Sequence, residues 1–167
     1  MKRIIVLFAC VLGLVGCGGS LSDEQRKKLR EGMESQKIQQ TSDSEIVTAA
    51  LERGRIAFQE LEKEKFDQTK ASVLASKFKM KIRWIIPGSS SALDVENQLI
   101  QAYVIGAETG STQDNIQKVH RRQGEDSYDS LLYSRPIVTP QPDGSVNVKG
   151  VWNLYMSKKD VILGIGK

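Results

Sequence analysis

Leu131-Leu132-Tyr133-Ser134-Arg135-Pro136-Ile137-Val138 and, after a polar interval, Gly150-Val151-Trp152-Asn153-Leu154-Tyr155-Met156 form the most apolar and aromatic region of the chain beyond its N-terminal leader. Side chains two apart share a face of a strand. Trp152, Leu154 and Met156 therefore point one way, and Val151, Asn153 and Tyr155 the other. The interval Thr139-Pro140-Gln141-Pro142-Asp143-Gly144-Ser145 contains Asp-Gly, a strong local hairpin signal. The region reads as a strand, a turn and a returning strand. Pro136 has no backbone N–H to give to a ladder, so its position belongs at an edge or a bulge.

Upstream, the period is helical before it becomes two. Ser42-Asp43-Ser44-Glu45 is a capping box. Val47, Ala50, Leu51, Gly54, Ala57, Phe58 and Leu61 follow on one apolar stripe, with Glu52, Arg53, Arg55 and Glu60 off it. A second helix is expected from about Phe66 to Phe78, with Ala71, Leu74, Ala75 and Phe78 on its apolar side. Met80, Ile82, Trp84 and Ile86 then alternate with Lys81, Arg83 and Ile85, which predicts a strand with one buried face. Pro87 to Ser91 is a turn. Asp94 is placed to cap a helix carrying Val95, Leu99, Ala102 and Tyr103. Residues 109–129 are polar, anchored by Ile116 and Val119, and read as a short helix and a loop.

The N-terminus carries a different message. Lys2 and Arg3 precede an apolar run, Ile4 to Val15, which is shorter than the ~20 residues needed to span a bilayer. It fits the core of a secretion signal. Leu14-Val15-Gly16-Cys17 matches the lipobox of bacterial lipoproteins, so residues 1–16 are expected to be removed and Cys17 to be lipidated. Buried acyl CH₂ groups contribute about 0.8 kcal/mol each, enough for several chains to hold the protein at a membrane. Gly18, rather than Asp, follows Cys17, which tilts the expected location in the cell envelope towards an outer membrane, facing the periplasm or the exterior. Residues 17–41 are a lipidated tether and polar spacer, in which Leu29, Met33 and Ile38 are too scattered to bury a face. Residues 42–167 make one domain.

Composition excludes several chemistries. The only cysteines are Cys10, which leaves with the leader, and Cys17. Thiol catalysis, a cysteine zinc site and covalent haem are therefore excluded from the mature chain. Part of the net charge of +4 sits on Lys2 and Arg3, and the mild excess that remains is no footprint for nucleic acid. His120, the single histidine, lies between basic residues and reads as surface. No Gly-x-Ser-x-Gly elbow, phosphate-cradling glycine loop or calcium loop is present. No enzymatic activity, cofactor or metal is expected. Glu60, Glu62, Lys63, Glu64 and Lys65 read as an ion-paired surface.

Four pieces, in order, resemble a bacterial extracytoplasmic family of the PAS-like sensor type, long catalogued as a domain of unknown function, whose better-known members carry c-type haem. They are the helix Ile46 to Leu61 with Arg53-Gly54-Arg55; the strand Lys81-Ile82-Arg83-Trp84; the turn and helix start Asp94-Val95-Glu96-Asn97; and Tyr133-Ser134-Arg135-Pro136-Ile137, followed by the Gly150 to Met156 strand. The resemblance covers about residues 42 to 160. It implies an α+β fold, with a PAS-like antiparallel sheet, a long N-terminal helix and flanking helices. The family's Cys-x-x-Cys-His motif is missing, since residues 138–149 hold no Cys and no His.

Arg83 and Arg135 lie in expected strands beside Trp84 and Tyr133. If both arginines face one concave side of the sheet, the four residues could hold an anionic ligand. Outward-facing arginines on a half-exposed sheet are the plainer reading, with Trp84 and Trp152 in the core. Two functions follow from the sequence. One is a lipid-anchored module that senses or binds a small molecule without covalent haem. The other is an interaction or structural head for an envelope protein partner.

Overall fold

The computed structural model describes residues 21–110, 112–120, 128–142 and 145–166. The leader, Cys17 and the Asp143-Gly144 pair of the expected turn lie outside the described residues. By its internal contacts the chain divides near Gln40 into two units. In the first, α1 (Asp23–Gln40) has no buried residue. Pairs one turn apart, Glu24–Lys28 at 3.0 Å and Lys27–Glu31 at 3.9 Å, support it. The spacer sequence is thus a solvated helix. No helix among the described residues is long and apolar enough to cross a membrane.

The second unit is α+β. Helix α2 (Asp43–Lys63) opens on the expected capping box: Ser42 N donates to Glu45 Oε2 at 2.9 Å, and Ser42 Oγ accepts from Glu45 N. Its buried stripe is Ile46, Ala50, Gly54, Ala57, Phe58 and Leu61. Arg53 lies beside this stripe and is half-buried. Its guanidinium donates to the carbonyls of Phe78 and Asp160, tying two chain segments to α2. Helix α3 (Gln68–Phe78) starts later than its apolar pattern suggests, because Asp67 is its cap, accepting from Thr69 N at 2.7 Å and Lys70 N at 3.1 Å.

Four antiparallel strands follow: β1 (Met80–Ile85), β2 (Asn115–Val119), β3 (Ser130–Pro140) and β4 (Val146–Ser157), in the order β1-β4-β3-β2. Helix α4 (Asp94–Glu108) lies between β1 and β2 in sequence, and α5 (Lys158–Gly164) closes the chain. The hairpin read first in the sequence is thus the centre of the sheet. Pro136 sits beyond the end of β2, whose ladder on β3 stops at Ser134, and the β3–β4 register slips between Ile137 and Val138. The missing donor therefore falls where no second neighbour needs it.

Register sorts the side chains. Met80, Ile82 and Trp84 align across β4 with Met156, Leu154 and Trp152, and across β3 with Leu131, Tyr133 and Arg135. This face packs on α2, with the Phe58 ring centroid 6.5 Å from that of Tyr133. The opposite face carries Ile85, Val151 and Leu132, which pack with Leu99, Ile100, Tyr103 and Ala107 of α4. Both faces of the sheet are covered, so β1 does not have the single buried face its alternation suggests: Ile85 is buried on the far side from Met80.

Two further expectations are corrected. The segment read as a short helix and loop contains β2. Its polar sequence suits an edge strand, and Lys118 pairs there with Asp43 at the start of α2. The cap of α4 is Leu93 rather than Asp94, and the Leu93 N–H is satisfied by Glu96 Oε2 at 2.8 Å.

Candidate functional site

The turn joining α2 to α3 builds one wall of a cleft. Lys65 and Phe66 have φ of 55° and 58°, a left-handed conformation that is uncommon for such residues and costs of order 1–3 kcal/mol each. Phe66 N donates to Leu61 O at 2.8 Å and Lys65 N to Glu62 O at 2.9 Å, which close the helix end without glycine. The consequence is placement of the Phe66 ring, 5.5 Å from Phe58 and stacked on Trp152 at 6.3 Å and 23°. Trp84 packs on Trp152 at 5.1 Å.

The opposite wall comes from the sheet. Gly150 leaves room for Trp84: a methyl group there would fall 2.4 Å from Trp84 Cζ2. Val148 pairs with Val138 and Gly150 with Ile137, so Lys149 is the extra residue of the bulge. A bulge of this kind re-aims a side chain, and Lys149 lines the cleft. The cleft holds about 240 Å³ between Lys65, Phe66, Gln68, Trp84, Ile137, Lys149 and Trp152. Two cations and no carboxylate line it. The Trp152 indole N–H, which normally finds an acceptor when buried, has none among the described residues. The arrangement offers aromatic faces for a flat ring and ammonium groups for an anion. A shallower depression of about 290 Å³ along α2 contains Glu45 and Glu52 but no aromatic ring.

The four sequence-derived candidates are not brought together. Trp84 lines the cleft. Arg135 and Tyr133 share its face of the sheet but are engaged elsewhere: the Arg135 guanidinium lies 4.6 Å above the Phe58 ring, and the fully buried Tyr133 donates to Asp114 Oδ2 at 3.0 Å. Arg55 grips the same carboxylate at 2.7 and 3.0 Å. That hydrogen bonding holds Asp114 below the ordinary carboxylate range, against the opposing effect of burial. Burial first, then the Asp114 charge, pushes the Tyr133 phenol up. Arg83 is on the other face. It pairs with the buried Glu96 at 3.2 Å and donates to Ser91 O at 2.7 Å.

Lys65, Phe66 and Lys149 carry no pattern that singles them out in sequence, and Trp152 is expected in the core. Only the Asp67 cap was available as a signal, since it starts α3 at Gln68 and releases Phe66 into the turn. His120 is exposed, its ring edge-on to Tyr128 at 6.2 Å. Among the described residues, no group of His, Cys, Asp or Glu is arranged to hold a metal ion. Comparison with known proteins finds no matching family model, no similar curated protein and no similar solved structure.

Proposed function

We propose that this chain is a lipid-anchored, extracytoplasmic PAS-like module that binds a small molecule, without covalent haem, in the cleft between the α2–α3 turn and the β3–β4 bulge. The ligand is flat and carries a negative charge. One observation carries this reading: strained backbone at Lys65 and Phe66 and a bulge at Lys149 combine to frame a cationic, aromatic-walled cleft. Strain of this kind persists where surrounding structure holds it, and it clusters at ligand sites. The volume lies below the usual range for drug-sized ligands, which limits the guest to a one- or two-ring molecule. The antiparallel sheet behind a long N-terminal helix is what supports the PAS-like reading. The Cys17 sequence supports the anchor, and Gly18 the outer membrane.

Both tryptophans of the chain line the cleft, so intrinsic fluorescence reports on it directly. Protein purified from its native envelope is expected to carry an acyl mass on Cys17 and to release a small anion on denaturation. That anion should then quench the fluorescence of the stripped protein saturably. A Soret band would overturn the haem-free reading. Fluorescence indifferent to every released compound would favour a head that only contacts an envelope protein.

A further inference from the structure

The sheet face beneath α4 has buried Val151 on one side and Leu132 on the other of a polar middle. Across that middle, Arg83, Asn153 and Ser134 form one row through three neighbouring strands. The outer two members are served. Arg83 has Glu96 and the Ser91 carbonyl. The Ser134 hydroxyl lies 2.8 Å from the Tyr103 hydroxyl. Glu96 is held in turn by the Tyr155 hydroxyl at 2.9 Å and by Leu93 N.

Asn153, between them, is 0% exposed, and neither Oδ1 nor Nδ2 has a hydrogen-bond partner among the described residues. A carboxamide brings two donors and an acceptor with two lone pairs into the interior. Leaving all of them unmade carries a large desolvation penalty, which a leucine of similar size would avoid. Buried polar groups that no protein group reaches are ordinarily satisfied by ordered water.

We propose that Asn153 anchors a closed polar site under α4 that holds a small uncharged guest able both to donate and to accept: water, or an amide of similar size. The guest is uncharged because Glu96 and Arg83 already neutralise one another, and nothing remains to offset a further buried charge. It is small because Ile85, Leu132 and Val151 of the same face pack directly on α4. The site is separate from the aromatic cleft, which lies across the sheet, so either can be refuted without the other.

The test is nuclear magnetic resonance on the isotope-labelled full chain. The Asn153 side-chain NH₂ is expected to show cross-peaks with water whose sign marks a long residence time. Formamide and formate, similar in size but different in charge, are then titrated. If formamide leaves the water signals unchanged, water is the guest; if it displaces them saturably, a small amide is. Formate is expected to do nothing. Absence of both the water cross-peak and a formamide response overturns the proposal, as does displacement by formate. In Asn153→Leu the water signals near the Tyr103 and Ser134 hydroxyls should vanish, and their persistence would show that Asn153 is not the anchor. Should that variant not fold, the wild-type measurements decide alone.

Discussion

Gly54 lies directly against the ring of Tyr133: a methyl group on Gly54 would fall 2.3 Å from Tyr133 Cγ and 2.7 Å from its Cβ. A glycine in mid-helix normally costs about 1 kcal/mol against alanine. Here it lets α2 close on the central strand at the position of a fully buried tyrosine. Gly54→Ala is therefore expected to destabilise by about 1–3 kcal/mol, the range for overpacking a core. A lowered urea midpoint at unchanged slope would show it. A raised midpoint would mean that helix propensity outweighs the contact.

All four tyrosines of the chain sit above their ordinary value. Burial is the first cause for each, and it pushes Tyr103 and Tyr128 up to about 12. A phenol raised on folding contributes stability that is complete below its unfolded value of about 10 and is lost as pH rises through the folded one. Tyrosinate absorbance near 295 nm should stay flat through about pH 10, then rise together with loss of the far-ultraviolet circular dichroism. Ionisation near pH 10 with the fold intact would contradict the burial.

Asp114 works from the acid side. Arg55 and Tyr133 hydrogen bonds lower its folded value, so its contribution is present above the ordinary carboxylate range and lost as pH falls through the depressed value. Its carboxyl carbon resonance should titrate below 3.8. Asp114→Asn should flatten the acid limb of a stability-against-pH curve. A midpoint above that value would show that the Arg55 contact does not persist in solution.

Lys65 separates a framing role from a binding one. Its φ of 55° is a conformation glycine adopts freely. Lys65→Gly is expected to leave stability within about 1 kcal/mol of wild type, relief of strain offsetting the looser unfolded chain. It should also weaken binding of the anion released from the native protein. A thermal melt and a fluorescence titration read the two effects apart. A stability loss well beyond 1 kcal/mol would make Lys65 a structural residue instead.

Much of the scaffold was legible because its signals are local. The Ser42–Glu45 box, the α2 stripe from Ala50 to Leu61 (with Ile46, not Val47, completing it) and the alternation from Val146 to Met156 each fix an element within a few residues. β2 was not legible, because an edge strand with Asn115, Gln117 and Lys118 has no apolar alternation to read. The candidate site failed for a different reason. Alternation gives the relative faces of residues within one strand, but only register phases two strands against each other. Arg83 pairs with Asn153, and Arg135 pairs with the adjacent Trp152, so one residue of offset put the two arginines on opposite sides. Asn153 was correctly set on the face away from Trp152, but its lack of partners depends on α4, which the strand sequence does not contain.

The central position of the β3–β4 hairpin also has a kinetic consequence. Only residues 141–145 separate its strands in sequence, whereas β1 reaches β4 only by bringing Met80 to Met156. Closing the longer loop costs more entropy, and contacts of high sequence separation form late. The hairpin is the natural folding nucleus, with φ-values expected to be high at Leu132 and Val151 and low at Ile82. The aromatic cleft draws on the α2–α3 turn, β1 and β4 together. It therefore forms only once that longer loop has closed, and a molecule fitted to it would recognise the folded protein and not the hairpin alone.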